Sequence, residues 1–166
     1  MQHISDELIK VFFTLFRGRE DVFAIRWEKD GKSGYMPAYD LNWEEFSKHK
    51  ARGGTLKDFP DKPFARLTEK RIINHLLGKE VIGIYPLLPD NSSWFIVADF
   101  DESLSSKKSW MEECLLFMES CKVHQIPSYL ERSRSGKGGH VWIFFESNYS
   151  AAKSRKIINI LLNSDL

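Results

Sequence analysis

Apolar positions along this chain recur with two periods, and the alternation between them lays out the elements. Leu8, Val11, Phe12 and Leu15 repeat at helical spacing, with Ser5 placed to cap the start and Gly18 to end it, so residues 5–17 are predicted as a helix. The stretch DVFAIRWEKDGKSGYMPAY alternates around KDGKSG and predicts a hairpin. Residues 40–66 hold turn formers and charges, which predicts a short helix near 43–49 and then irregular chain. A second helix begins at Thr68, carries Ile72, Ile73, Leu76 and Leu77, and stops at Gly78. VIGIYPLL, residues 81–88, reads as a short buried strand. After the turn PDNSS the pattern sharpens. WFIVADFD (94–101) is a strand, 106–124 a helix, SYLERSRS a strand after Pro127, HVWIFFE another strand, and Ser150 caps a last helix through Ile157, Ile158, Leu161 and Leu162.

From Trp94 the order is therefore β-α-β-β-α. A split βαβ fold runs β-α-β-β-α-β, so the fold class is α/β of the α+β kind, with a sheet resembling that of RNA-recognition domains that lacks its last strand. Two modules are expected, 1–90 and 91–166, the second truncated at its C-terminal end and meeting the first at a topological boundary rather than a flexible linker.

Composition narrows the function classes. A chain of 166 residues with 42% hydrophobic content has enough apolar side chain for an ordered core. Net charge is +1, so binding of nucleic acid must come from a local patch and not from a global field. Cys114 and Cys121 stand seven apart in a helical pattern, which suits two buried thiols on one face and neither a zinc knuckle nor a disulfide framework. MQHISDELIK lacks a basic stretch followed by an apolar run, and no segment approaches the roughly 20 apolar residues of a membrane span. A reducing, cytoplasmic location with no membrane partner is expected.

Candidate chemistry converges on the second half. Side chains alternate across a strand, so Asp99 and Asp101 share one face and lie about 6.5 Å apart along it. Parallel carboxylates repel unless a cation lies between them, and hard ions such as Mg²⁺ or Mn²⁺ favour oxygen donors; a strand end emerging into solvent explains the same residues more blandly. His140, Trp142 and Phe144 form one face of the later strand, and Val141, Ile143 and Phe145 the other. His140 is read either as a surface histidine or as a neighbour of the aspartates on an open sheet face. Between them runs Ser135-Gly136-Lys137-Gly138-Gly139. Consecutive N–H groups in such a turn attract anions, Lys137 adds a point charge and Ser135 a donor; a plain hairpin turn is the competing reading. It is not a Walker A loop. Arg26, Lys32, Arg132 and Arg134 are weaker candidates for phosphate or nucleic-acid contact, with Trp27 and Tyr35 offering stacking surfaces. Acid pair, basic glycine turn and histidine together point to nucleotidyl transfer, in which metals bridge phosphates.

VADFD followed, after a helix, by SRSGKGGHVWIFF resembles motifs I and II of the archaeo-eukaryotic primase superfamily, the primase–polymerases. FFTLFRGREDVFAIRW, GKSGYMPAY and GKEVIGIYPLL extend the resemblance to the primase domain of TOTE conflict systems, found in prokaryotes and their mobile elements. The resemblance implies a polymerase acting on (d)NTPs and a DNA template or primer. In it Asp99 and Asp101 hold Mg²⁺ or Mn²⁺, with His140 beside them in the catalytic set. Ser135, Gly136, Lys137, Gly138, Gly139 and His140 meet the triphosphate. Two departures stand out. LKDFPDKPFARL has no cysteine where relatives often carry a cluster, so no zinc is expected. The family's third carboxylate comes from a later strand, and Asp165 in LLNSDL is not expected to replace it. A fragment or a truncated relative is expected, which leaves room for a helicase or nuclease module beyond Leu166. The alternative is a non-catalytic binding module, since KGGHVWIFF partly echoes an RNA-recognition pattern; a metal-dependent sugar transferase is a more distant option.

Overall fold

The computed structural model describes residues 4–102 and 108–163. The first residues of the helix expected over 106–124, the N-terminal residues 1–3 and Asp165 lie outside them. The chain forms two compact units, one holding Arg19–Tyr85 and the chain up to Phe12, the other holding Phe13–Gly18 and the chain from Pro86. The architecture is mixed α and β, with one three-stranded antiparallel sheet in each unit.

In the first unit, helix α1 (Asp6–Leu15) starts where Ser5 accepts the Leu8 N–H on its Oγ and the Ile9 N–H on its carbonyl. Strands β1 (Phe23–Lys29) and β2 (Lys32–Pro37) form the expected hairpin. Asp30 and Gly31 join them at φ 51° and 72°, the left-handed pair that a tight two-residue hairpin requires. Helix α2 (Trp43–Ala51) is capped by Asn42, whose side chain accepts the Glu44 and Glu45 N–H groups. Helix α3 (Glu69–Leu76) follows Thr68, but the Thr68 side chain makes no capping hydrogen bond. The stretch expected as a buried strand over 81–88 shrinks to β3 (Ile82–Ile84), half-buried because it pairs only with β1 at one edge of the order β2-β1-β3. Val22, Phe23, Ala24, Ala38, Phe59 and Ile72 are buried in this unit.

In the second unit come β4 (Ser92–Asp101), α4 (Trp110–Val123), β5 (Tyr129–Arg132), β6 (Gly138–Ser150) and α5 (Ala151–Leu162). Both β4 and β5 pair antiparallel to β6, so β4-α4-β5 is a βαβ unit split by the insertion of β6. The expected order from Trp94 holds. Boundaries differ for local reasons. Strand β4 begins at Ser92 because Ser92 and Ser93 pair with Ser150 and Tyr149 before a bulge shifts the register at Trp94, and the same pairing carries β6 past Glu146. Helix α4 begins only at Trp110, since Ser109 and Glu112 form a reciprocal capping box. Ser150 precedes α5 as expected but ends β6 as well, and its side chain makes no cap bond.

Both helices cover one face of this sheet. Ala98, Val141 and Ile143 pack there with Cys114, Phe117, Cys121, Ile158 and Leu161. Cys114 and Cys121 are free thiols at 0% exposure, and desolvation pushes both thiols up from their ordinary pKa. Sequence spacing alone read these two side chains as one buried helix face.

Candidate functional site

Alternation along β4 and β6 leaves the second face of this sheet for polar and aromatic side chains. Residues directly opposite in an antiparallel pair share a face. Asp99 is registered opposite His140, which on its other side is opposite Glu131, so one rung carries Asp99, His140 and Glu131 across three strands. His140 Nε2 lies 3.5 Å from Asp99 Oδ1, and its Nδ1 lies 3.3 Å from Glu131 Oε2. The next rung carries Val97, Trp142 and Tyr129. The expected sharing of one face by Asp99 and His140 is therefore observed. Glu131 was not singled out from the sequence. Its alternation within LERS shows a strand, but only the register with β6 turns its side chain toward His140.

Asp101 completes the acid pair two residues on, opposite Gly138. A Cβ on Gly138 would approach Asp101 Oδ1 to 2.8 Å and the Phe100 carbonyl to 2.7 Å, so glycine at 138 is what leaves room for this carboxylate. Gly139 is constrained from the helical side, where a Cβ would come within 2.9 Å of Cys114 Sγ and of the Trp110 ring. Both residues are the first two of β6 and not part of the turn.

The turn itself spans 133–137 and joins β5 to β6. Strand β5 stops at Arg132, short of the expected SRS, because the Ser133 N–H already closes onto the Gly138 carbonyl at 2.9 Å. The Gly136 N–H donates to the Ser133 carbonyl at 2.9 Å, and the Lys137 N–H to Ser135 Oγ at 3.2 Å. Two of the N–H groups counted as an open anion nest are thus satisfied inside the loop. Gly136 has φ +74°, where a side chain is strained, and a Cβ there would also meet the Arg132 guanidinium at 2.9 Å. Arg132 donates to the Gly136 carbonyl at 3.3 Å, which ties its cationic group to the loop. The cationic side chains of this stretch are Lys137, Arg134 and Arg132, the last registered opposite Gly139 on the face that α4 covers.

Arg26 and Lys32 belong to the first unit. Register places Arg26 and Tyr35 on one face of its sheet and Trp27 and Lys32 on the other. Arg26 is ion-paired with Glu28, and the Trp27 indole lies against Gly34, where a Cβ would approach it to 3.1 Å.

Aromatic side chains fill the open face beyond His140. Trp142 and Phe144 are stacked, at 3° and 6.1 Å between centroids, and Phe16 meets both edge-on. An apolar cleft of about 340 Å³ lies here between Leu15, Phe16, Tyr129, Leu130, Glu131, Trp142 and Phe144. Among the described residues no three His, Cys, Asp or Glu side chains converge as a metal site. The donor set that is present, two exposed carboxylates in line on one strand face with glycine opposite Asp101, suits a hard divalent cation that takes its remaining oxygens elsewhere. No helix among the described residues is long and apolar enough to cross a membrane.

The family described as "TOTE conflict system, Archaeo-Eukaryotic Primase domain" has a model that matches residues 7–166. No curated protein matches the chain.

Proposed function

Because the chain belongs to the archaeo-eukaryotic primase domain family of TOTE conflict systems, we propose that its second unit binds a nucleoside triphosphate with a divalent cation and transfers the nucleotide to a nucleic-acid 3′-hydroxyl. The family implies a nucleotidyltransferase of primase type, with nucleotide and nucleic-acid substrates and a general dependence on divalent metal. In this reading residues 91–166 form the catalytic module and 1–90 an accessory one. DNA is the template or primer, and a helicase or nuclease module is a natural companion.

The observation that carries the reading is the shared rung of Asp99 and His140 at the strand ends that meet the basic loop. Asp99 and Asp101 would hold Mg²⁺ or Mn²⁺, which would supply positive charge to offset that of the phosphates. Lys137, in the loop, would neutralise the outer phosphates. His140 Nε2, aimed at the Asp99 edge, offers a hydrogen bond to a phosphate oxygen held there. Ser135, which caps the Lys137 N–H, shapes the loop rather than reaching out. Gly138 and Gly139 contribute by keeping β6 close to β4 and α4.

One observation favours the second reading, a binding module without chemistry: Tyr129 is 58% exposed in the rung beside Trp142, an aromatic platform that suits base stacking. Against it stand Asp99 and Asp101 on the same face, which repel a phosphate backbone.

The test is nucleotide affinity in Mn²⁺ for wild type, Lys137→Ala and His140→Ala, with thermal midpoints alongside. Charge-assisted hydrogen bonds to phosphate contribute roughly 1.5–3 kcal/mol, so each variant should bind about tenfold or more weakly with an unchanged midpoint. Normal affinity in both variants contradicts the reading. Primer extension separates the two functions: incorporation that Asp99→Asn abolishes supports transfer, and nucleotide binding without incorporation supports the binding module.

A further inference from the structure

The open face of the second sheet is polar at one end and aromatic beyond it, and the two parts meet at Glu131. Asp99, His140 and Glu131 share one rung; Trp142 and Tyr129 share the next, about 6.5 Å further along the strands. The cleft of about 340 Å³ opens there, within the roughly 300–1,000 Å³ of small-molecule sites. Trp142 and Phe144 lie parallel, and Phe16 stands edge-on to both at 5.1 and 5.5 Å. Tyr129 lies 5.9 Å from Phe144 with its ring exposed. Among the residues lining this cleft Glu131 alone is charged. Its Oε2 accepts the Trp142 indole N–H at 2.7 Å, and His140 Nδ1 lies 3.3 Å from the same oxygen. The indole nitrogen is a donor only, and its ring packs on Phe16, Phe95 and Phe144, so the carboxylate is held through Oε2. Oε1 makes no hydrogen bond among the described residues. A carboxylate repels phosphate, and aromatic walls do not solvate it. A nucleobase, uncharged and flat, offers a π face to the rings and N–H donors to Oε1.

We propose that the cleft holds the base of the bound nucleoside triphosphate and that Glu131 Oε1 accepts a hydrogen bond from an exocyclic amino group on that base. The proposal rests on the reading above that Asp99, Asp101 and Lys137 receive the phosphates, and it gives the nucleotide a direction along the face: phosphates toward Asp101, base toward Trp142. Glu131 thereby sets specificity. A carboxylate pairs with the 4-amino group of cytosine and repels the 4-oxo group of uracil. A templated polymerase has to accept every base, so this preference belongs to the nucleotide bound before a template base faces it. The amide variant reverses the chemistry. In Glu131→Gln the Trp142 N–H still needs an acceptor, so the amide oxygen takes the Oε2 place and the NH₂ group turns to the cleft. A donor then stands where an acceptor stood.

The test is the dissociation constants of dCTP and dUTP, in Mn²⁺ and without template, for wild type, Glu131→Gln and Tyr129→Ala. Wild type should bind dCTP about fivefold or more tightly than dUTP, the worth of one hydrogen bond. Glu131→Gln should lose this preference and favour dUTP. Tyr129→Ala should weaken both nucleotides about fivefold or more through lost stacking and leave their ratio unchanged. Equal affinities in wild type, a wild-type ratio in Glu131→Gln, or wild-type affinities in Tyr129→Ala would each overturn the proposal. Both side chains are exposed, so thermal midpoints should stay near wild type; were Glu131→Gln unstable, the wild-type ratio and Tyr129→Ala decide. Lys137→Ala separates the proposal from the reading beneath it. If that variant binds both nucleotides normally while dCTP is still preferred and Glu131→Gln still inverts the preference, the base cleft stands and the phosphate assignment fails.

Discussion

Gly136, Gly138 and Gly139 are neighbours in sequence and are required for different reasons. Gly136 supplies a left-handed turn conformation, Gly138 makes room for Asp101, and Gly139 lets α4 lie against β6. The last of these gives a stability expectation independent of any ligand. In Gly139→Ala the new methyl meets Cys114 Sγ and the Trp110 ring, both in or against the core. Overpacking of this kind costs about 1–3 kcal/mol, so the denaturant midpoint should fall clearly while the slope stays constant. An unchanged midpoint would mean that α4 shifts freely, against its capping box and packed thiols. At this scale the sequence showed the glycines and the acid pair but not their division of labour. A glycine's reason is a distance to an atom elsewhere in the fold, and no local pattern carries that distance.

Among elements, the legible ones were those whose apolar period is long and clean. Strands β4 and β6 and helices α4 and α5 follow from alternation and helical spacing, because each buries one face against the same core. Strand β5 was harder to bound. All four of its residues are exposed, and where it stops is decided by the Ser133 N–H closing onto Gly138. The register that aligns Glu131 with His140 was out of reach for the same reason, as it is fixed by pairing and not by composition. Short capping loops are a further case. After α2, Asp58 accepts from both the N–H and the hydroxyl of Thr55 and lies 3.1 Å from His49 Nε2. The Thr55 hydroxyl bond, above all, holds the Asp58 carboxyl down to about 2 from its ordinary 3.8. A carboxyl lowered in the folded state contributes stability that is present above the unfolded value and lost as pH falls through the folded one. Thr55→Val should therefore melt below wild type at pH 5, and the gap should close as pH falls from 3.8 toward about 2. A gap independent of pH would remove Asp58 from the cause.

For the whole molecule, net charge is only +1, so attraction to a phosphate chain rests on a few named side chains. If Arg26, Lys32, Arg132 and Arg134 all contact phosphates, single-strand affinity should fall with a slope of at most about 3 in log–log salt, at about 0.7 per contact. A much steeper slope would point to a basic surface outside these four. The two units divide the chemistry unevenly. Asp99, Asp101, His140, Glu131 and the loop all lie in the unit that continues from Pro86. The central claim, that the acid pair and the basic loop bind one metal–nucleotide complex, makes metal and nucleotide binding mutually dependent, and such coupling is reciprocal. It is tested most directly by the dissociation constant of a deoxynucleoside triphosphate with and without Mn²⁺, in wild type and in the Asp99→Asn, Asp101→Asn double variant. We expect Mn²⁺ to tighten binding by about tenfold or more in wild type, some 1.4 kcal/mol of coupling, and to have no effect in the double variant. Nucleotide affinity indifferent to Mn²⁺, or a full Mn²⁺ effect without the two carboxylates, would contradict the account.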